Sequence, residues 1–116
     1  MTSSLSRRLT AEFLGTAFLV AAVGSGVIGE RLANGNVAIT LLANTIATGA
    51  ALVAIILAFG PISGAHLNPA VTLADAIERG LPWTHATQYA IVQIVGGMTG
   101  AVAAHLMFGL PPIFFS

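Results

Sequence analysis

Ser63-Gly64-Ala65-His66-Leu67-Asn68-Pro69-Ala70-Val71-Thr72 stands near the middle of a strongly apolar chain, and its reading decides the rest. Ser63 to His66 reads as a glycine-containing loop. Asn68-Pro69 reads as a helix start. The asparagine oxygen caps a free N–H, and proline at the first helical position loses nothing, because an N–H there has no intrahelical partner. On each side lies an apolar run of membrane-spanning length. A loop feeding a short helix between two such runs is how a membrane protein builds a site at depth. Irregular backbone is tolerated there only where it is buried in protein or lines a cavity.

The composition points the same way. Of 116 residues, 56% are hydrophobic and only 7% are charged, and the mean hydropathy is +0.92. A soluble domain carries charge on about a quarter of its residues, so this chain cannot cover a water-facing surface. An integral membrane protein is expected. The basic residues are Arg7, Arg8, Arg31 and Arg79, and the net charge is zero, so nothing suggests a nucleic-acid partner. Cysteine is absent, which removes disulfides and thiol chemistry.

Arg7-Arg8 before an apolar run resembles a signal peptide, but the run is about long enough to span hydrocarbon and contains Glu12, so a retained helix is expected. The chain divides into spans at about 9–29, 37–59 and 83–108, with a re-entrant loop and half-helix at about 60–79. Asn34-Gly35 marks the tip of the first turn. Gly60-Pro61 is expected to end the second span, and Arg79-Gly80 the half-helix. Ten residues of helix rise only about 15 Å, half the hydrocarbon thickness, so the half-helix cannot cross. With three spans, Arg7, Arg8 and Arg79 fall on one side and Arg31 on the other. That bias favours a cytoplasmic N-terminus and a multi-pass protein of the plasma (inner) membrane. Gly96, Gly97 and Gly100 form a ridge of small residues that admits a neighbouring helix. Thr40, Asn44 and Thr48 recur every four residues, marking a face turned to other helices or water.

The ten-residue stretch, placed after one span and before a Gln93-x-x-Gly96 span, closely resembles the first half of the aquaporin and glycerol-facilitator family. Ala11-Glu12-Phe13-Leu14-Gly15-Thr16 is similar to that family's opening helix, and the resemblance covers essentially the whole chain in order. It implies an all-α membrane fold: three transmembrane helices and one re-entrant half-helix, forming one half of an inverted repeat whose two Asn-Pro-Ala motifs meet near the midplane. It implies a passive channel for water and small uncharged solutes, assembled as a homo-oligomer, a tetramer in the family. The partners are membrane lipid, the solutes and a second such half on the same or another chain. Asn68, Pro69 and Ala70 would line the pore, the carbonyls of Gly64, Ala65, His66 and Leu67 would form a ladder of acceptors, and Glu12 with His66 would brace the loop. A proton relay through Glu12 and His66 is the other reading of that pair, but a conduit for uncharged solutes needs none.

Thr48 stands twenty residues before Asn68, where the family's constriction takes a side chain and water-selective members carry a bulky aromatic. Threonine implies a wider, more polar constriction that passes glycerol-like solutes or metalloid hydroxides. Pro61, where water channels often have histidine, points in the same direction. Asp75 and Glu78 read as solvated charges at the cytoplasmic end of the half-helix, and His85 and His105 lie near opposite ends of the third span. No histidines stand at metal-ligand spacing and no acid pair is placed for hydrolysis, so neither cofactor, metal nor enzymatic activity is expected. A second Asn-Pro-Ala, the arginine that follows it and three more spans are not among the 116 residues, so the chain reads as the channel's first half. The alternatives are a homodimer of oppositely inserted halves, which the arginine bias disfavours, and a non-conducting structural or interaction subunit or inactive truncated product.

Overall fold

Three of the helices start where an uncharged polar side chain takes up a free N–H. Ser4 Oγ accepts from Arg7 N, Asn36 Oδ1 from Ile39 N, and Asn68 Oδ1 from Ala70 N. The structure, a computed structural model, describes residues 4–24, 26 and 32–107. Among them are four helices and no strand: α1 Leu5–Val23, α2 Val37–Ser63, α3 Pro69–Ile77 and α4 Trp83–Met107. α2 and α4, of 27 and 25 residues, are long and apolar enough to cross a membrane. α1 has 19 residues and carries Arg7, Arg8 and Glu12; residues 25 and 27–29 of the expected first span lie outside the described residues. α3 has only nine residues, a rise of about 14 Å. Before α2, Asn34 (φ +54°) and Gly35 (φ +85°) form the turn tip, with Asn36 N–H bonded to the Ala33 carbonyl. Two successive positive φ values are the requirement that Asn-Gly meets.

One helix end differs from the sequence reading. Gly60-Pro61 does not stop α2, which runs through Pro61 to Ser63. Pro61 costs the Leu57 carbonyl its intrahelical donor, one bond in a helix of 27 residues that the remaining bonds carry through to Ser63. The helix ends instead at Gly64, whose φ of +89° turns the chain while its N–H closes on the Gly60 carbonyl at 2.8 Å. α3 closes at Arg79-Gly80, where Arg79 takes the left-handed conformation (φ +63°). Arg79 N–H bonds the Ala76 carbonyl and Gly80 N–H the Asp75 carbonyl, the paired bonds of a Schellman closure. A non-glycine residue pays about 1 kcal/mol for that conformation, so Arg79→Gly should stabilise the protein by about 0.5–1 kcal/mol, read as a higher unfolding midpoint in detergent.

α1 packs along α4 and also against α2, while α3 rests on α4. The buried positions of α4, Ala86, Tyr89, Gln93, Gly96, Gly100 and Ala104, recur at three- and four-residue spacing and form one stripe. Glycine sets how closely α1 approaches it. A Cβ on Gly96 would lie 2.5 Å from the Phe13 carbonyl oxygen, and one on Gly100 would meet the Ala17 carbonyl. On the other side of α1, Leu67 sits over Gly15.

The interior is polar. The largest fully buried side chains are Tyr89, Gln93, Glu12 and Thr72, whereas Leu41, Leu42, Ile46, Leu57, Ile94 and Met98 face outward. In water the hydrophobic effect forbids that distribution. In hydrocarbon, where aliphatic side chains gain nothing by hiding, close backbone packing and internal hydrogen bonds hold helices together.

Candidate functional site

The loop between α2 and α3 is built from backbone that side chains rarely tolerate. Gly64, Ala65 and Leu67 all have positive φ (+89°, +49° and +60°), two of them non-glycine. Such conformations persist only where the surroundings over-determine them, and here they do. Gly64 N–H is taken by the Gly60 carbonyl, and Ala65 N–H by Ser63 Oγ at 3.2 Å. His66 N–H and Leu67 N–H converge on Glu12, at 3.1 Å to Oε2 and 2.9 Å to Oε1. Successive N–H groups converging in this way form a concave anion nest, and its anion is a side chain of α1.

Glu12 is 0% exposed and accepts four hydrogen bonds. Besides the two amides, Ser63 Oγ donates to Oε2 at 2.6 Å and Gln93 Nε2 to Oε1 at 2.8 Å. Every donor is neutral, and together they replace the water that the carboxylate would otherwise bind. Gln93 gives its other amide hydrogen to Thr72 Oγ1 at 2.9 Å. The reverse amide orientation would set Gln93 Oε1 against a carboxylate, so the network assigns the amide. The same Thr72 Oγ1 also lies within hydrogen-bond distance of His66 Nδ1, at 3.0 Å. His66 Nε2 faces Asp75 Oδ2 at 3.3 Å.

The structure places the His66 ring on Thr72 and Asp75, not on Glu12, which it meets through its backbone N–H. Asp75 is therefore paired, although its spacing in the sequence read as a solvated charge. It follows Thr72 by three residues on α3, so both face the same side. Glu78 is exposed. Asn68 is also exposed, with Oδ1 held by Ala70 N–H at 2.7 Å; Pro69 and Ala70 beside it are exposed as well. Thr40, Asn44 and Thr48 are half-buried along one face of α2, with Asn44 beside Gly26. Thr48 lies in α2 apart from the loop network.

Four contributors escaped the sequence reading: Ser63, Thr72, Tyr89 and Gln93. Tyr89 is 0% exposed and donates from its hydroxyl to the Ser63 carbonyl at 2.9 Å. A signal for the two on α4 was present, since Tyr89 and Gln93 are four residues apart on the stripe that continues through Gly96 and Gly100. Three buried side-chain atoms, Thr16 Oγ1, His85 Nδ1 and Gln93 Oε1, have no hydrogen-bond partner among the described residues.

Residues 1–110 match the sequence model of the family described as "Major intrinsic protein". The chain is 50% identical to Aquaglyceroporin AqpS of Rhizobium meliloti (strain 1021), over 97% of this chain and 48% of the relative. It is 42% identical to Aquaporin NIP1-4 of Oryza sativa subsp. japonica, over 94% of this chain and 39% of the relative. With Probable aquaporin NIP5-1 of Arabidopsis thaliana the identity is 40%, over 90% and 34% respectively. The chain thus spans about half the length, or less, of these relatives. With the Asn-Pro-Ala helix start, the braced loop and a family match over nearly all its residues, this chain belongs to the major intrinsic protein family.

Proposed function

We propose that the chain forms one half of a passive transmembrane channel for water and small uncharged solutes, with the loop 64–67 and Asn68 as its half of the filter. One observation carries the reading: every N–H from Gly64 to Leu67 is spent on the protein's own interior. With the N–H groups drawn to Glu12 and the end of α2, the carbonyls of Gly64, Ala65, His66 and Leu67 are left to the opposite side as a ladder of acceptors. Asn68 completes it. Its oxygen is committed to Ala70 N–H, so its amide hydrogens are the donors that orient a passing oxygen. The start of α3 adds partial positive charge at the same place, which disfavours cations. Glu12 acts as the brace, since its four donors come from the loop and from the two helices beside it.

In this reading α1, α2 and α4 cross the membrane, α3 enters it and returns, and the N-terminus is cytoplasmic. The exposed edge formed by Asn68, Pro69 and Ala70 faces a second half of the same design, on the same or another chain, within a homo-oligomer. Polar backbone at membrane depth is too costly to face lipid. Thr48 is the α2 side chain of the constriction, and its small hydroxyl admits glycerol-like solutes or metalloid hydroxides beside water. The names of the relatives, an aquaglyceroporin and two aquaporins, support this reading.

The test is flux through vesicles. Reconstituted with a second half of the fold, the protein should raise the rates of osmotic water exit and glycerol entry above those of protein-free vesicles, as read by stopped-flow light scattering. Rates equal to the protein-free control would discard the channel and leave a structural or interaction subunit.

A further inference from the structure

Glu12 is not the only group that reaches the loop. We propose that Tyr89, its hydroxyl oriented by Arg8, is a second positioning residue, which holds the start of the loop 64–67 through the Ser63 carbonyl. The inference rests on the channel reading above and adds to it the residues that set where the filter sits.

Ser63 is the last residue of α2, so its carbonyl has no intrahelical donor. Tyr89 supplies one from another helix, at 2.9 Å. A phenol has a single proton and could turn it elsewhere. Arg8 Nε lies 3.0 Å from the same oxygen and can only donate, so it occupies the phenol's acceptor side and leaves the proton to Ser63. The guanidinium carbon also stands 5.5 Å from the ring centroid, within cation–π range. On its other side the Tyr89 ring leans on His66, with centroids 5.3 Å apart and planes tilted by 53°.

The spacing repeats on both helices. Arg8 and Glu12 are one turn apart on α1, and Tyr89 and Gln93 are one turn apart on α4. Two rungs result. Glu12 with Gln93 holds the end of the loop by its amides, and Arg8 with Tyr89 holds its beginning by a carbonyl. A loop with three positive φ values is pinned at both ends, and each pin involves α1 and α4 together.

The experiment uses the reconstituted protein of the preceding test, with amide hydrogen exchange as the local readout and the glycerol-to-water flux ratio as the functional one. Tyr89→Phe keeps the ring against His66 and removes only the hydroxyl. Exchange of the amides at 64–67 should quicken about tenfold, the change expected from one lost hydrogen bond of ordinary net strength. Amides beside Gly15 and Gly96 should not change. The flux ratio should fall, because glycerol must present several hydroxyls in turn to aligned acceptors and water need not. Arg8→Met, at a half-buried position nearer the helix end, should act in the same direction and serves if Tyr89→Phe fails to accumulate. Arg8→Lys, which restores a cationic donor, should recover both readouts, and Arg8→Met added to Tyr89→Phe should change nothing further. Unchanged exchange at 64–67, an unchanged flux ratio in a conducting protein, or independent effects of the two variants would each overturn the proposal. If even the unsubstituted protein conducts nothing, the channel reading fails, while exchange still decides whether Tyr89 holds the loop.

Discussion

Glu12→Gln should destabilise the protein by about 2–6 kcal/mol, although it removes a charge and adds none. The carboxylate accepts from Ser63 Oγ and His66 N–H on one oxygen and from Leu67 N–H and Gln93 Nε2 on the other. A glutamine amide keeps one of those oxygens and turns an NH₂ toward the other pair of donors. Whichever way it turns, two buried donors are stranded, at about 1–3 kcal/mol each. Glu12→Ala strands all four and should be worse. Glu12→Asp keeps both oxygens but withdraws them by one methylene, and should fall between wild type and glutamine. Unfolding midpoints in detergent give the order, and the loop amides 66 and 67 should lose exchange protection in step with it. A glutamine variant as stable as wild type would show that the loop requires neither the charge nor both acceptor oxygens.

Gly96→Ala is the second large effect, expected to cost about 3 kcal/mol, the upper end of what overpacking does. Its Cβ would lie 2.5 Å from the Phe13 carbonyl oxygen, which belongs to the α1 backbone and cannot swing aside as a side chain would. The helices would have to part, and the Glu12–Gln93 bond crosses the same seam one turn away. Gly97→Ala is the control. Its Cβ would make ordinary contacts of 3.7 Å with Val20 Cγ2 and 3.8 Å with Thr16 Cγ2, so better helix propensity should stabilise it by about 0.5–1 kcal/mol. Adjacent glycines thus give opposite expectations from one substitution. Equal gains at both positions, measured by thermal unfolding of the two variants, would mean that helix propensity and not the approach of α1 governs the result.

The parts of the site that read correctly from sequence are local ones. The Asn68 cap and Pro69 at the helix start depend on residues within one turn of each other, as does the Asn34-Gly35 turn. The family could be identified for a similar reason, since ten consecutive residues carry it. Pro61 misled because a proline removes one bond without having to end the helix, and here Gly64 ends it three residues later. Asp75 read as solvated because its partner His66 lies across a loop with no regular period.

The sequence by itself determined the apolar class, the short helix opened by Asn68, the family and the interest of Glu12, since an ionisable group in an apolar helix needs partners. Only the tertiary structure decided who those partners are. Residue 12 meets residues 63, 66, 67 and 93, and residue 8 meets residue 89. Such pairings follow from helix crossing and rotation, which no local pattern encodes. The seam set by Gly96 and Gly100 brings the α1 and α4 backbones close enough for short polar side chains to reach each other. Once there, away from water, every donor had to find an acceptor inside the protein, and that requirement shaped the loop.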